Sequence, residues 1–233
     1  MITNKNIIII GNSDGIGLNL TKKLLNNNNK IIGISRSNVD IKNEHYTHFC
    51  QNILNEEAFT STLLQSLSLL KTIDLCIYCA GIGNNMDINN LEHQVTTFKV
   101  NSLGAVISTT IVIEEMLKNK KGHFIGLSSV ADAVLSTEAP SYCASKSGIS
   151  KYWESMGFAL KPKNIHISNI RFGFEDTKMA KAKTKPFLIS SDKATNYIID
   201  VIKKPRIRFT RPLITGLAVR ILQLVNEIKI TYK

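Results

Sequence analysis

The hydrophobic positions of the chain fall into two alternating patterns. Short apolar runs of strand length occur at Asn6–Ile10, Lys30–Ser35, Thr47–Gln51, Asp74–Cys79, Gly122–Ser128 and Ile165–Arg171, with a weaker one at Arg206–Thr210. "IIII", "IIGIS", "LCIY" and "HFIGLS" are apolar almost throughout, which suits parallel strands covered on both faces. Segments of helical period lie between them. "IGLNLTKKLLNN" puts Ile16, Leu20, Leu24 and Leu25 on one face. "NEEAFTSTLLQSL" opens with an Asn cap and two glutamates in its first turn. Val95–Lys118 and Ser141–Leu160 are longer. "NNNN" at 26–29 reads as a helix end and turn. The alternation predicts a single α/β domain: a doubly wound parallel sheet of about seven strands with helices on both faces.

Composition fits that picture. The 233 residues suit one domain with a sizeable core. Hydrophobic and charged contents of 43% and 20% are ordinary for a soluble globular protein. No run approaches ~18 apolar residues, so no membrane-spanning helix is expected. The first apolar run is short and is followed at once by Asp14 and three glycines, so no signal peptide is expected and a cytoplasmic location is. Cys50, Cys76, Cys79 and Cys143 are too few for a disulfide framework in a chain this long. Cys76 and Cys79 form a C-x-x-C, but inside a predicted strand residues three apart point to opposite faces. The five histidines show no ligand spacing with the cysteines, and no metal site is expected.

Charge changes the picture more. Residues 1–160 hold 13 basic and 13 acidic side chains, whereas residues 161–233 hold 16 against 5, which is the whole excess of +11. Such a field attracts anions: a phosphorylated substrate, an acidic membrane surface or nucleic acid. A solvated basic face accounts for it equally well.

The stretch "IIIIGNSDGIG" ends the first predicted strand in Gly11, Gly15 and Gly17. A diphosphate at a strand-to-helix turn can bind free backbone N–H groups at the positive end of the helix dipole. A side chain at Gly11 would crowd the turn, one at Gly15 would block the phosphates, and one at Gly17 would push the helix off the strand.

Further motifs follow in order. "GNSDGIG", "YCAG" (Tyr78–Gly81), "VNSLG" with Asn101, "LSSVA" with Ser129, "YCASK" with Tyr142 and Lys146, and "RFGFEDTKM" together resemble the short-chain dehydrogenase/reductase family, of the compact single-domain type. The resemblance runs from Gly11 to Met179, with a similar tail to about Arg211. It implies a Rossmann-like dinucleotide-binding and catalytic domain over residues 1–211, followed by a basic amphipathic tail, 212–233. It implies an oxidoreductase interconverting a ketone and a secondary alcohol. Asn101, Ser129, Tyr142 and Lys146 would be the catalytic set. Gly11, Asn12, Ser13, Gly15, Ile16, Gly17, Ala80, Gly81, Tyr142, Lys146, Gly173 and Thr177 would contact the cofactor.

The chemistry is consistent with that resemblance. A free tyrosine, pKa about 10, neither gives up nor takes a proton easily at pH 7. A nearby ammonium stabilises the phenolate. Tyr142 and Lys146 are four apart in a predicted helix and share a face. The resemblance implies that Tyr142 exchanges the proton with the substrate oxygen. Lys146 would hold the nicotinamide ribose, Ser129 would hydrogen-bond the substrate oxygen, and Asn101 would help hold a relay water.

The second predicted strand ends "GISRS". An acidic residue near this point would favour NAD(H). Arg36 instead suits a 2′-phosphate, with Ser37 beside it as a further cofactor contact, so NADP(H) is favoured over NAD(H). Asp40 comes late, and Asn52 stands where the family often has an Asp against adenine. Two departures concern structure: Cys79 replaces the Asn of N-A-G, and Phe172 replaces the proline before Gly173.

Thr177–Ser191 should cover the substrate, and its four lysines would suit an anionic substrate or plain solvation. In the tail, Ile214, Leu217, Ala218, Ile221, Leu224, Val225 and Ile228 recur at helical spacing. At ~1.5 Å per residue that helix is too short to span a bilayer. It could lie on an anionic membrane, cover the pocket or pack on a second subunit; the first two would suit a lipid-linked ketone. The two long helices are where family members commonly pair, implying a homodimer or homotetramer. The rival readings are a non-catalytic dinucleotide-binding regulator and a membrane- or nucleic-acid-binding protein. An aromatic content of 7% without aromatic–basic interleaving makes nucleic acid unlikely as a partner.

Overall fold

The computed structural model describes residues 2–173 and 188–231. Its elements are β1 (Asn6–Ile10), α1 (Gly15–Leu25), β2 (Lys30–Ser35), β3 (Tyr46–Cys50), α2 (Glu56–Leu70), β4 (Leu75–Tyr78), α3 (Glu92–Phe98), α4 (Gly104–Lys118), β5 (Gly122–Ser129), α5 (Pro140–Leu160), β6 (Ile165–Phe172), α6 (Ser191–Lys203), β7 (Arg208–Arg211) and α7 (Leu213–Thr231). The seven strands are parallel in the order β3-β2-β1-β4-β5-β6-β7. This is the doubly wound sheet that the sequence pattern predicts. The weakest strand differs most: β7 lies two residues later at its start than expected, where Arg208 finds Asn169 of β6 as its partner.

β1 explains why the first strand is apolar on both faces. Ile7, Ile8, Ile9 and Ile10 are all fully buried. Ile8 and Ile10 pack with Phe59, Leu63, Val112 and Trp153 of α2, α4 and α5. Ile7 and Ile9 pack with Leu20, Leu24, Ile198 and Val201 of α1 and α6. Each such burial stabilises by ~1.5–3 kcal/mol. The same alternation separates the C-x-x-C pair: Cys76 joins the first layer and Cys79 the second. Burial pushes the Cys76 thiol well above the usual range, which makes it inert. Among the described residues no cluster of His, Cys, Asp or Glu could hold a metal.

The predicted single helix over 95–118 is more elaborate. It begins at Glu92 and contains a π-helical turn, Lys99–Leu103, between α3 and α4. Contrary to the expectation that nothing would qualify, Glu92–Lys118 is long and apolar enough to cross a membrane by length and composition alone. Its apolarity belongs to the fold, since Ala105, Val112, Ile113 and Met116 are buried against the sheet.

Two buried polar pairs fasten strands that bound the cleft. Arg171 of β6 forms a bidentate ion pair with Asp132, in the 3₁₀ turn Val130–Ala133 directly after β5; Nε donates to Oδ2 at 2.7 Å and Nη2 to Oδ1. Both side chains are more than nine-tenths buried. His123 of β5 shares a 2.8 Å hydrogen bond with Ser168 of β6, and burial pushes its pKa down to about 3.

Asp132→Ala should destabilise the fold by ~3–5 kcal/mol because it leaves the Arg171 cation buried alone. Asp132→Leu combined with Arg171→Leu should recover most of that loss in urea denaturation. His123 binds its proton in the unfolded chain below about pH 6.5 but in the native chain only near 3. Its contribution is therefore complete above pH 6.5 and falls as the pH drops, by up to ~1.4 kcal/mol per unit. The slope should flatten in His123→Gln, measured by denaturation between pH 7 and 4.5.

Candidate active site

A cavity of about 1430 Å³ opens at the carboxyl ends of β1, β2, β4, β5 and β6. Its floor is the turn from β1 to α1. Gly11 has φ +85°, and a Cβ there would lie 2.5 Å from the Ala80 amide nitrogen. A Cβ on Gly17 would lie 2.2 Å from the Gly11 carbonyl oxygen, so the helix can approach the strand only without it. Ser13, Gly15 and Ile16 also line the cavity. The glycine cradle thus leaves space where a diphosphate would lie at a helix N-terminus. One feature opposes an anion: Asp14 caps α1, its Oδ1 accepting from the Gly15 amide at 2.8 Å.

Asn12 does not line the cavity. It is fully buried behind the cradle, where its Nδ2 donates to the Tyr46 hydroxyl at 2.7 Å. Tyr46 in turn meets His48 Nδ1 at 3.1 Å, and His48 Nε2 meets the Ser37 carbonyl at 3.1 Å. Burial lowers the His48 pKa, so the neutral ring donates from Nε2 to Ser37 and accepts from Tyr46. The chain of bonds ties the glycine turn to the end of β2. Gly33 makes room for it, since a Cβ there would lie 2.1 Å from Asn12 Nδ2. Ser37 therefore serves through its carbonyl, which also accepts from Ser35 Oγ at 2.9 Å; its residue does not reach the cavity wall. Arg36 does, and among the described residues no ion pair engages it. Asp40 is exposed away from the wall. Asn52 lines the cavity and closes its own turn by accepting from the Leu54 amide at 3.1 Å.

The opposite wall holds Ser129, Tyr142 and Lys146, three of the four residues singled out for chemistry; the fourth, Asn101, is buried behind it and does not line the cavity. The π-helical turn aims Asn101 inward, as such local bulges can. Its Oδ1 accepts from the Ile82 amide and its Nδ2 donates to the Ile82 carbonyl, both at 2.8 Å; Nδ2 also reaches Ser145 Oγ at 3.1 Å. A Cβ on Gly81 would sit 3.5 Å from both Asn101 Oδ1 and Lys146 Nζ, so those two atoms converge on one backbone position. Lys146 is almost fully buried and donates to the Leu127 carbonyl at 3.0 Å. Its Nζ is 5.9 Å from the centre of the Tyr142 ring, one turn earlier on α5. The Tyr142 ring packs on Gly83, where a Cβ would come within 2.9 Å. Ser129 ends β5; its Oγ accepts from the Ala131 amide at 3.2 Å and donates to the Phe172 carbonyl at 3.3 Å. Ser129, Tyr142 and Lys146 all line the cavity, as do Ala80, Gly81 and Gly173.

Phe172 takes the place of a proline by prolonging β6 one residue beyond the predicted end, buried and facing Tyr197 at 6.5 Å between ring centres. The next residue, Gly173, donates to the Arg211 carbonyl at 3.0 Å. Thr177 and the four lysines of the expected cover lie outside the described residues. The tail contributes more than its apolar spacing suggested. Thr215, Ala218, Val219 and Leu222 of α7 line the cavity. Thr215 is buried and its Oγ1 has no partner among the described residues, a position that a ligand's polar group would satisfy. No motif points to Thr215, to the Asp132–Arg171 pair or to the Asn12–Tyr46–His48 chain. Only an arginine near the end of a strand expected to be covered on both faces hinted at the second.

Comparison with known proteins agrees with this geometry. The family model for short chain dehydrogenases matches residues 5–186. The 3-oxoacyl-(acyl-carrier-protein) reductase of Chlamydia trachomatis serovar D is 26% identical over 194 residues, 78% of each chain. Its namesake from Buchnera aphidicola subsp. Baizongia pistaciae is 28% identical over 186 residues, 76% of each. Among solved structures, a short chain dehydrogenase from Burkholderia cenocepacia in complex with NADP superposes with a TM-score of 0.83 at 18% identity, covering 94% of this chain and 92% of that one. A 3-ketoacyl-(acyl-carrier-protein) reductase from Brucella melitensis complexed with NADH gives 0.79 at 16% identity, covering 90% and 97%. With a Rossmann-like sheet, a glycine cradle and a Tyr-x-x-x-Lys pair on one cavity, the chain belongs to the short-chain dehydrogenase/reductase family.

Proposed function

We propose that this oxidoreductase interconverts a ketone and a secondary alcohol with NADP(H), Tyr142 acting as the general acid and base. The observation that carries the reading is the meeting of Tyr142, Lys146 and Ser129 on the wall of a cavity floored by glycines. At about 1430 Å³ the cavity exceeds the ~300–1,000 Å³ usual for one small ligand, which leaves room for a dinucleotide and a substrate.

A bound nicotinamide cofactor would supply or take up the hydride at the substrate carbon. Residues of the chain handle the proton and the geometry. In reduction, the Tyr142 hydroxyl gives its proton to the carbonyl oxygen. The Lys146 ammonium stabilises the phenolate left behind and would hold the ribose of a bound cofactor. Ser129 rotates its hydroxyl from the Phe172 carbonyl toward the substrate oxygen, supplying a second donor where negative charge develops. Asn101 grips both polar groups of Ile82 and so holds the Gly81–Gly83 strip against Tyr142 and Lys146. A water beside Lys146 would return the proton from solvent. The cradle from Gly11 to Gly17 would hold the diphosphate, Asn52 the adenine, and Ala80 and Gly81 the inner ribose. Gly173 and Thr177 would face the carboxamide.

For the outer ribose, Arg36 at the end of β2, which no ion pair engages among the described residues, supports NADP(H). Relatives named as 3-oxoacyl-(acyl-carrier-protein) reductases support a ketone on an acyl chain. The apolar side chains that α7 adds to the cavity suit such a chain, and Thr215 offers it a polar contact. Exposed Val95, Phe98, Leu103 and Phe158 along α3, α5 and the π-helical turn support pairing of subunits there.

Tyr142→Phe should keep dinucleotide affinity in calorimetry and lose turnover by ~10²–10⁴-fold. The assay is NADPH absorbance with a panel of ketones and alcohols that includes acyl and lipid substrates. Wild-type turnover in the variant would overturn the proton-transfer role. Arg36→Asp should weaken NADPH binding by about 10- to 100-fold, the equivalent of ~1.5–3 kcal/mol for a lost charge-assisted bond, and leave NADH nearly unchanged. Equal losses for both would remove the basis for preferring NADP(H).

A further inference from the structure

Thr215 stands apart from other helical threonines of the chain. Thr21, Thr62, Thr97, Thr109 and Thr195 each donate to the carbonyl four residues earlier, at 2.7 or 2.8 Å. For Thr215 that carbonyl belongs to Arg211, which ends β7 and already accepts from the Gly173 amide at 3.0 Å. Thr215 is more than nine-tenths buried, yet its Oγ1 makes no hydrogen bond among the described residues. A buried hydroxyl without a partner costs stability, so it marks a place where a ligand can supply the bond.

Its position says which ligand. Both γ atoms of Thr215 lie over Gly173, 3.4 and 3.5 Å from where a Cβ on that glycine would stand. Gly173 lines the cavity and follows Phe172, whose carbonyl accepts from Ser129 Oγ. α7 also packs on the 3₁₀ turn that begins directly after Ser129. The hydroxyl is therefore next to the backbone that holds Ser129, which the reading above places at the reacting carbonyl. Ala218, Val219 and Leu222 line the cavity from the same face of α7. They are aliphatic throughout and extend ~10 Å beyond Thr215, at ~1.5 Å per residue. A dinucleotide along this wall would set its polar groups against aliphatic side chains. A substrate with one polar group followed by an apolar chain matches both parts of the wall.

We propose that Thr215 is a specificity-determining residue: its hydroxyl bonds a second oxygen of the substrate, beside the reacting carbonyl, and so selects ketones that carry such an oxygen ahead of an apolar chain. The inference rests on the ketone reading above and names the class of ketone. It is tested by affinity, without turnover. The protein is saturated with NADP+, which cannot reduce a ketone, and titrated by calorimetry with hexyl acetoacetate or with the plain methyl ketone of the same chain length. The acetoacetate should bind about tenfold more tightly. Thr215→Val removes the hydroxyl at nearly constant shape and should abolish most of that advantage, and Thr215→Ser should restore it. With NADPH, Thr215→Val should raise KM for the acetoacetate more than it lowers kcat, because the contact forms on binding. Its melting temperature should equal or exceed the parent's, since an unpartnered buried hydroxyl is lost. Equal affinities for the two ketones in the parent overturn the proposal, as does an advantage that survives in Thr215→Val. A Thr215→Val protein that loses NADP+ affinity would assign the hydroxyl to the dinucleotide, and one that melts several degrees lower would assign it to the fold; either overturns the proposal. An affinity advantage without any NADPH turnover would strike the reaction assigned above and leave the role of Thr215 standing.

Discussion

A buried ammonium ion must have a polar partner, and most of the candidate site is arranged around that requirement at Lys146. Its Nζ donates to the carbonyl of Leu127, in the middle of the sheet, at 3.0 Å. The contact requires α5 to lie close to β5. Gly126 permits it: a Cβ there would fall 2.3 Å from the Trp153 ring, which lies on the sheet at that point. Trp153 then donates from Nε1 to Thr109 Oγ1 of α4 at 2.9 Å. One glycine in β5 thus seats α5 against the sheet, α5 seats α4, and the π-helical turn before α4 delivers Asn101 next to Lys146. The candidate wall is thus a by-product of core packing.

The same reasoning separates what the amino-acid sequence discloses from what it hides. Two-sided strands announce themselves because burial on both faces forces an unbroken apolar run, and all seven expected strands occur. Tyr142 and Lys146 were legible because their relation is local, a single helical turn. Gly11 and Gly17 were legible because the absence of a side chain is itself the signal. By contrast, the partner of Arg171 lies 39 positions away, and that of Asn12 lies 34 away. Such pairs have no spacing rule, since they depend on which strands become neighbours. The π-helical turn was also hidden: one extra residue in a turn leaves the apolar period almost unchanged over a short stretch, while it redirects the side chain that matters.

The end of β2 illustrates how an indirect contact can support a site. Ser37 was expected to touch the cofactor and instead anchors a chain of hydrogen bonds that runs back through His48 and Tyr46 to Asn12. That chain fixes the backbone on either side of Arg36, whose own side chain remains exposed and without an ion pair among the described residues. At the other end of the same cleft, Asp14 places a carboxylate at the start of α1. The floor therefore carries a negative charge at the start of α1 and a positive one at the end of β2.

The tail is where apolar pattern and fold have to be taken together. Its aliphatic residues do not form the single stripe that a helix covering a pocket would need. Thr215, Val219 and Leu222 face inward, while Leu217, Ile221 and Leu224 face out. From Ile221 onward the described side chains are almost all exposed, so the second half of α7 gains little from burial against its own domain. Inward packing alone would be met by the first two turns and would favour polar residues beyond them. The persistence of Leu224, Val225 and Ile228 is thus not accounted for by burial against the chain's own domain.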